Sequence, residues 1–128
     1  MKRIIAMLIS ATLPFSFFSC ELGASKTYEQ ISGAEAKALM DSEKDYIIID
    51  ARTQSEYDEG HIPGAILIPE YEIAERAERE LPNKKQLILV YCRSGRRSKI
   101  AAEELVKLGY TNVKEFGGII DWEYDIVK

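Results

Sequence analysis

Two continuous apolar runs constrain this chain most: Tyr46-Ile-Ile-Ile-Asp50 and Leu87-Ile-Leu-Val-Tyr91. Neither alternates with polar residues, so each reads as a strand covered on both faces rather than one with a wet side. Such strands need helices above and below them, and the sequence supplies helices in between. Ser32-Gly-Ala-Glu35 and Thr53-Gln-Ser-Glu56 are capping boxes; they predict one helix running to about Met40 and a second, shorter one. Gly60-His-Ile-Pro-Gly64 predicts a turn, and residues 65–68 a short strand closed by Pro69. Ile73, Ala77 and Leu81 recur at helical spacing within residues 71–81 before Pro82-Asn83 breaks the pattern. Residues 98–108 predict an amphipathic helix with Ala101, Leu105 and Leu108 on one face, stopped by Gly109. Residues 113–116 predict a last strand, Gly117-Gly118 a turn, and residues 119–124 a final short helix.

Strands that alternate with helices in this way give an α/β fold: a small parallel β-sheet with helices on both faces. The length of 128 residues fits one domain. A chain of that size can bury a core without disulfide staples, and two cysteines are too few for a disulfide framework. The lone histidine, His61, has no Cys/His cluster around it that would make a metal site. Net charge is -4, a balance that argues against nucleic acid and anionic membrane surfaces as partners.

The first residues read differently. Met1-Lys2-Arg3 is a positive start, residues 4–18 are mostly apolar, and Ser19-Cys20 follows. This is the pattern of a secretory signal segment, too short for a spanning helix and interrupted by Pro14. Phe17-Phe18-Ser19-Cys20 resembles a bacterial lipobox, with Phe17 where Leu is usual. That resemblance implies a signal peptide over residues 1–19, lipidation of Cys20, a tether over residues 20–27, and export to the periplasm or cell surface as a membrane-anchored lipoprotein. Two alternatives stay open: ordinary cleavage nearby, and an uncleaved anchor.

In open parallel sheets, sites form at the carboxyl ends of strands, and two such ends carry chemistry here, Asp50 and Cys92. After the second apolar run comes Cys92-Arg93-Ser94-Gly95-Arg96-Arg97-Ser98 and then a helix. A short loop containing glycine directs successive backbone N–H groups inward as an anion nest. The helix start adds free N–H groups and positive potential. Arg93, Arg96 and Arg97 add fixed positive charge. All of these favour a thiolate over a thiol and would hold an oxyanion. An inert buried thiol is the plain alternative for Cys92, and a solvated helix face the alternative for the arginines. That alternative fits Arg93 and Lys99 better than Arg96 or Arg97. Asp50 and Arg52, two apart at a strand end, share a face and are expected to brace the loops as a buried ion pair. His61 is expected to stabilise its turn, and Trp122 and Tyr124 to pack at the edge of the core.

Ile48-Ile-Asp-Ala-Arg52, Glu56-Tyr57 and Gly60-His-Ile-Pro-Gly-Ala65 resemble the first signature of the rhodanese family. Tyr91-Cys-Arg-Ser-Gly-Arg-Arg-Ser98 resembles the active-site loop of its single-domain members, and Gly109-Tyr110 with Gly117-Gly118 and Trp122 its closing segment. The resemblance places a rhodanese-like domain over residues 28–128. It implies a thiosulfate sulfurtransferase in which Cys92 takes sulfane sulfur from a donor such as thiosulfate. Backbone amides of Arg93, Ser94, Gly95, Arg96, Arg97 and Ser98 would hold the persulfide until cyanide, a thiol or a protein acceptor removes it. No metal or organic cofactor is implied. Two rivals remain. One is an extracytoplasmic sulfur-carrier or binding module of the same fold. The other is a Cys-dependent phosphatase or arsenate reductase, which needs C-x5-R; counted from Cys92, the arginine would fall at Ser98, so this loop is one residue short.

Overall fold

A computed structural model describes residues 27–128; the leader and Cys20 lie outside the described residues. Five strands, β1 (Glu29–Gln30), β2 (Tyr46–Asp50), β3 (Ile66–Leu67), β4 (Leu87–Cys92) and β5 (Val113–Gly118), form one sheet in the order β1-β5-β4-β2-β3. Every pairing between them is parallel. The two apolar runs lie side by side at the centre, with Tyr46 opposite Leu87 and Asp50 opposite Tyr91. That register places the carboxyl ends of β2 and β4, and so Asp50 and Cys92, at the same rim.

Four α-helices cover the sheet: α1 (Gly33–Ser42), α2 (Gln54–Glu59), α3 (Ile73–Glu80) and α4 (Arg96–Lys107). Side chains of β4 alternate between two cores, as the two-residue repeat of a strand requires. Leu87, Leu89 and Tyr91 pack with Ala36 of α1, Ile48, Ile62 and Phe116. Ile88, Val90 and Cys92 pack with Ile73 and Ala77 of α3, Ala101, Ala102 and Leu105 of α4, and Val113. Both capping boxes form: Ser32 Oγ accepts from Glu35 N at 3.0 Å and Thr53 Oγ1 accepts from Glu56 N at 3.4 Å.

The structure differs from the sequence reading in five places. A two-residue edge strand, β1, precedes the first helix; it is too short to show a periodicity. Residues Glu70–Glu72 form a 3-10 turn that leads into α3. Helix α4 begins at Arg96, with Gly95 as its N-cap, because a left-handed glycine can end the loop two residues earlier than the apolar stripe suggests. Finally, Gly117-Gly118 continues β5 rather than turning away from it. The register shifts there: Val90 faces Glu115, yet Cys92 faces Gly118, so β5 carries one extra residue against β4. Gly117, at φ 88°, absorbs this bulge. The final helix is reduced to a 3-10 turn over Ile119–Asp121.

Candidate active site

Cys92 ends β4 and is buried, its residue 1% exposed. The chain turns back through Arg93 and Ser94 to Gly95, whose φ of 105° only glycine adopts without strain. That turn brings the Gly95 backbone N–H to 3.0 Å from Cys92 Sγ. No side chain caps α4, so its positive N-terminal end opens toward the thiol.

The wall opposite the loop is β5. A Cβ built on Gly118 would lie 1.9 Å from the Arg93 carbonyl oxygen and 2.6 Å from Ser94 Cα. Both are backbone atoms with no room to yield, so the loop and the strand touch through bare backbone. The Ile120 N–H donates to the same Arg93 carbonyl at 3.3 Å. The bulge at Gly117 therefore seats Gly118 beneath the loop that follows Cys92.

The expected loop residues divide by what they touch. Arg93, Ser94 and Arg96 are exposed around the mouth. Arg97 is not a free cation: Glu56 of α2 accepts from both of its terminal nitrogens, at 2.7 and 2.9 Å. The Arg97 guanidinium holds the Glu56 carboxyl down at about 2, well below the usual carboxylate range, and the pairing raises Arg97 in turn. Ser98 is fully buried, in the first turn of α4, with Oγ 3.4 Å from Cys92 Sγ. Its hydroxyl donates to Glu115 Oε1 at 2.7 Å. Glu115 lies on β5, is 2% exposed, and also accepts from Gly117 N at 2.8 Å.

Asp50 and Arg52 form a buried two-pronged pair at the adjoining strand end, 2.8 to 3.1 Å between partner atoms. Arg52 also donates to the Gly60 carbonyl at 2.7 Å, and the Tyr91 hydroxyl donates to Asp50 Oδ2 at 2.7 Å. Tyr91 in turn accepts from Ile62 N at 3.1 Å. Burial, then the hydrogen bond to Asp50, pushes the Tyr91 phenol far above its usual range. This network braces the turn after α2 against the strand that delivers Cys92. His61 Nδ1 lies 2.9 Å from the Tyr57 carbonyl, and its ring stacks on that of Tyr57 at 3.7 Å; Trp122 packs against the α1-side core, while Tyr124 stays exposed at its edge.

Sequence reasoning missed Glu115 and gave no role to Tyr91 or Glu56, although both stand in the motifs that carry the family resemblance. Glu115 had a detectable signal: an acid two residues after Val113 falls on the core-facing parity of its strand. Tyr91 looked like one more apolar strand residue, and Glu56 like half of a capping box. Among the described residues no cluster of three metal-ligating side chains occurs, and no helix is long and apolar enough to cross a membrane.

Comparison with known proteins agrees with this geometry. The rhodanese-like domain family matches residues 32–125. Thiosulfate sulfurtransferase PspE of Escherichia coli (strain K12) is 42% identical over 80 residues, covering 62% of this chain and 77% of that protein. The putative sulfur carrier protein YrkF of Bacillus subtilis (strain 168) is 39% identical over 94 residues, covering 73% of this chain and 50% of that protein. Among solved structures, a rhodanese with anions from E. coli superposes with a TM-score of 0.61 at 40% identity, covering 65% of this chain and 98% of that one. With a thiol cradled at a strand end, a matching domain and sulfurtransferase relatives, the chain belongs to the rhodanese-like domain family.

Proposed function

We propose that this protein is a sulfurtransferase that carries sulfane sulfur as a persulfide on Cys92, with thiosulfate as a donor and a thiol or cyanide as acceptor. The observation that carries the reading is the Gly95 N–H at 3.0 Å from Cys92 Sγ, at the uncapped start of α4. The Cys92 thiolate attacks the outer sulfur of thiosulfate. A new S–S bond forms, the bond to the sulfite group breaks, and sulfite leaves with the electron pair. The negative charge now rests on the terminal sulfur, one atom further out, where the loop and helix-start amides face it. An acceptor then attacks that sulfur and returns Cys92 as thiolate; cyanide leaves as thiocyanate and a thiol as a persulfide. This is covalent catalysis in two half-reactions.

Arg93 and Arg96, exposed beside the loop, attract the anionic donor, while Arg97 is held by Glu56 and fixes α2 against α4. The relative named as a sulfur carrier supports a second reading, in which the acceptor is a protein rather than a small thiol. We extend the proposal to export: the leader directs the chain out of the cytoplasm and Cys20 becomes its lipidated N-terminus.

The test compares thiosulfate-to-cyanide sulfur transfer with hydrolysis of an aryl phosphate by the purified protein. A loop with arginine at the fifth position after cysteine fits one sulfur atom or the edge of an anion better than a whole phosphate. Sulfur transfer should exceed hydrolysis by orders of magnitude; comparable turnover would overturn the reading.

A further inference from the structure

One buried acid beside the thiol plays no part in the sulfur-transfer chemistry above. Glu115 is 2% exposed and reaches toward Cys92 through a single intermediate, the Ser98 hydroxyl. The hydrogen-bond arithmetic at Ser98 is unusual. A serine hydroxyl has one proton and two lone pairs. Around Ser98 Oγ lie Glu115 Oε1 at 2.7 Å, the Gly95 carbonyl at 3.0 Å and the Gly117 carbonyl at 3.4 Å. The two carbonyls can only accept, and Glu115 Oε1 already accepts from Gly117 N at 2.8 Å. That oxygen is the nearest of the three, so the Ser98 proton points at Glu115. Its lone pairs are left to face Cys92 Sγ, 3.4 Å away.

We infer that Glu115 is a positioning residue for the nucleophile: it commits the Ser98 proton to itself, so that Ser98 can accept from the Cys92 thiol but cannot donate to its thiolate. The pair thereby opposes the loop. The Gly95 N–H favours charge on Sγ, whereas the Ser98 lone pair and the nearby carboxyl group disfavour it. Once sulfur is loaded, no proton remains on Sγ and the charge has moved outward, away from Glu115 and into the cup of amides. This inference rests on the sulfur-transfer reading only for that last consequence; the state of the empty thiol can be measured without any sulfur donor.

Other charged groups face the same region and are unchanged by the test. Arg93 and Arg96 flank the loop, and Arg97 senses both Cys92 and Asp50 while bound to Glu56. Asp50 is neutralised by Arg52. On the far side of β5, the Tyr28 phenol senses Glu115 and Glu103.

The experiment follows alkylation of the full chain by iodoacetamide as a function of pH, with Cys92 distinguished from Cys20 by peptide mass. Glu115→Gln keeps the shape and an accepting oxygen but removes the charge. Its alkylation profile should move to lower pH by about one unit, seen as roughly tenfold faster reaction on the acid limb. Ser98→Ala, which suits a helix, should move the profile in the same direction by less. A Glu115→Gln profile that stays in place or moves to higher pH would overturn the inference, the latter pointing to a proton relay from thiol to carboxylate. A Ser98→Ala profile that moves to higher pH would overturn it too, because Ser98 would then be donating to the sulfur. Circular dichroism and thermal midpoints identify a misfolded variant; if Glu115→Gln does not fold, the direction of the Ser98→Ala shift decides.

Discussion

Single atoms decide the shape of this site. Gly118 must lack a side chain, because a Cβ there would meet the Arg93 carbonyl at 1.9 Å. Gly118→Ala should therefore push the catalytic loop off β5, destabilise the fold by about 1–3 kcal/mol as overpacking does, and abolish most sulfur transfer. Gly109→Ala is the converse control: that glycine has positive φ, 98°, whereas Gly118 is extended, and nothing lies within 4 Å of the added carbon. It should lose some stability and keep its activity. Urea unfolding and a thiocyanate assay on both variants check the contrast; equal activity in the two would show that the close approach is unimportant. Asp50 makes the corresponding case for charge. It is fully buried, and its removal would leave the Arg52 guanidinium, 5% exposed, with the Gly60 carbonyl and the face of the Tyr91 ring but no anion. Asp50→Ala should cost about 3–5 kcal/mol, the usual penalty for orphaning a buried charge, and a loss under 1 kcal/mol in urea unfolding would contradict the bracing role.

Among the elements, the contact between α2 and α4 has the clearest pH signature. Arg97 holds the Glu56 carboxyl at about 2 in the folded protein, against an ordinary value of 4.5. The folded value is depressed, so the stabilisation is fully present above 4.5 and is lost as pH falls toward 2. Glu56→Gln should be less stable than the parent at pH 6, and the gap should close between pH 4.5 and 2. Thermal midpoints measured across that window check it; a gap that stays constant would mean that the ion pair does not link the helices. At this scale the sequence was most legible. The two apolar runs became the central strands because burial on both faces leaves no alternation to misread, and both capping boxes start helices where the Ser32 and Thr53 hydroxyls demand. Cys92 and the Asp50–Arg52 pair were legible because strand ends can be read from the strands themselves. The start of α4 was misplaced because a left-handed glycine, not an apolar stripe, sets it. The bulge was hidden because it depends on how β5 lies against β4, a long-range register that no local pattern encodes, whereas Glu115 shares the core-facing parity of Val113 and was legible from its strand alone.

For the whole molecule, the question is how a lone buried thiol would work if the proposed leader exports it. Among the described residues Cys92 is the single cysteine, free and buried. If Cys20 is lipidated or lost, no resolving thiol exists, and a persulfide cannot discharge as an internal disulfide. Sulfur-loaded protein should keep its sulfur after the donor is removed, then release it with recovery of one titratable thiol when cyanide or a thiol is added. Rapid spontaneous loss, or a Cys92-linked dimer as the main product, would contradict this. The leader makes a separate prediction. In a bacterial host the protein should partition with membranes and begin at an acylated Cys20, since several chains anchor stably where one does not. An unmodified N-terminus in the mass spectrum of the native protein would refute the lipid anchor while leaving export open.

The proposed sulfur transfer depends on Cys92 being the sulfur carrier, and intact-mass spectrometry tests that directly. The protein is incubated with thiosulfate, freed of small molecules and weighed beside the Cys92→Ser variant treated in the same way. The parent protein should gain one sulfur atom, mapped to the Cys92 peptide and removed by cyanide, and the variant none. Equal uptake of sulfur by Cys92→Ser, or none by the parent protein, would contradict it.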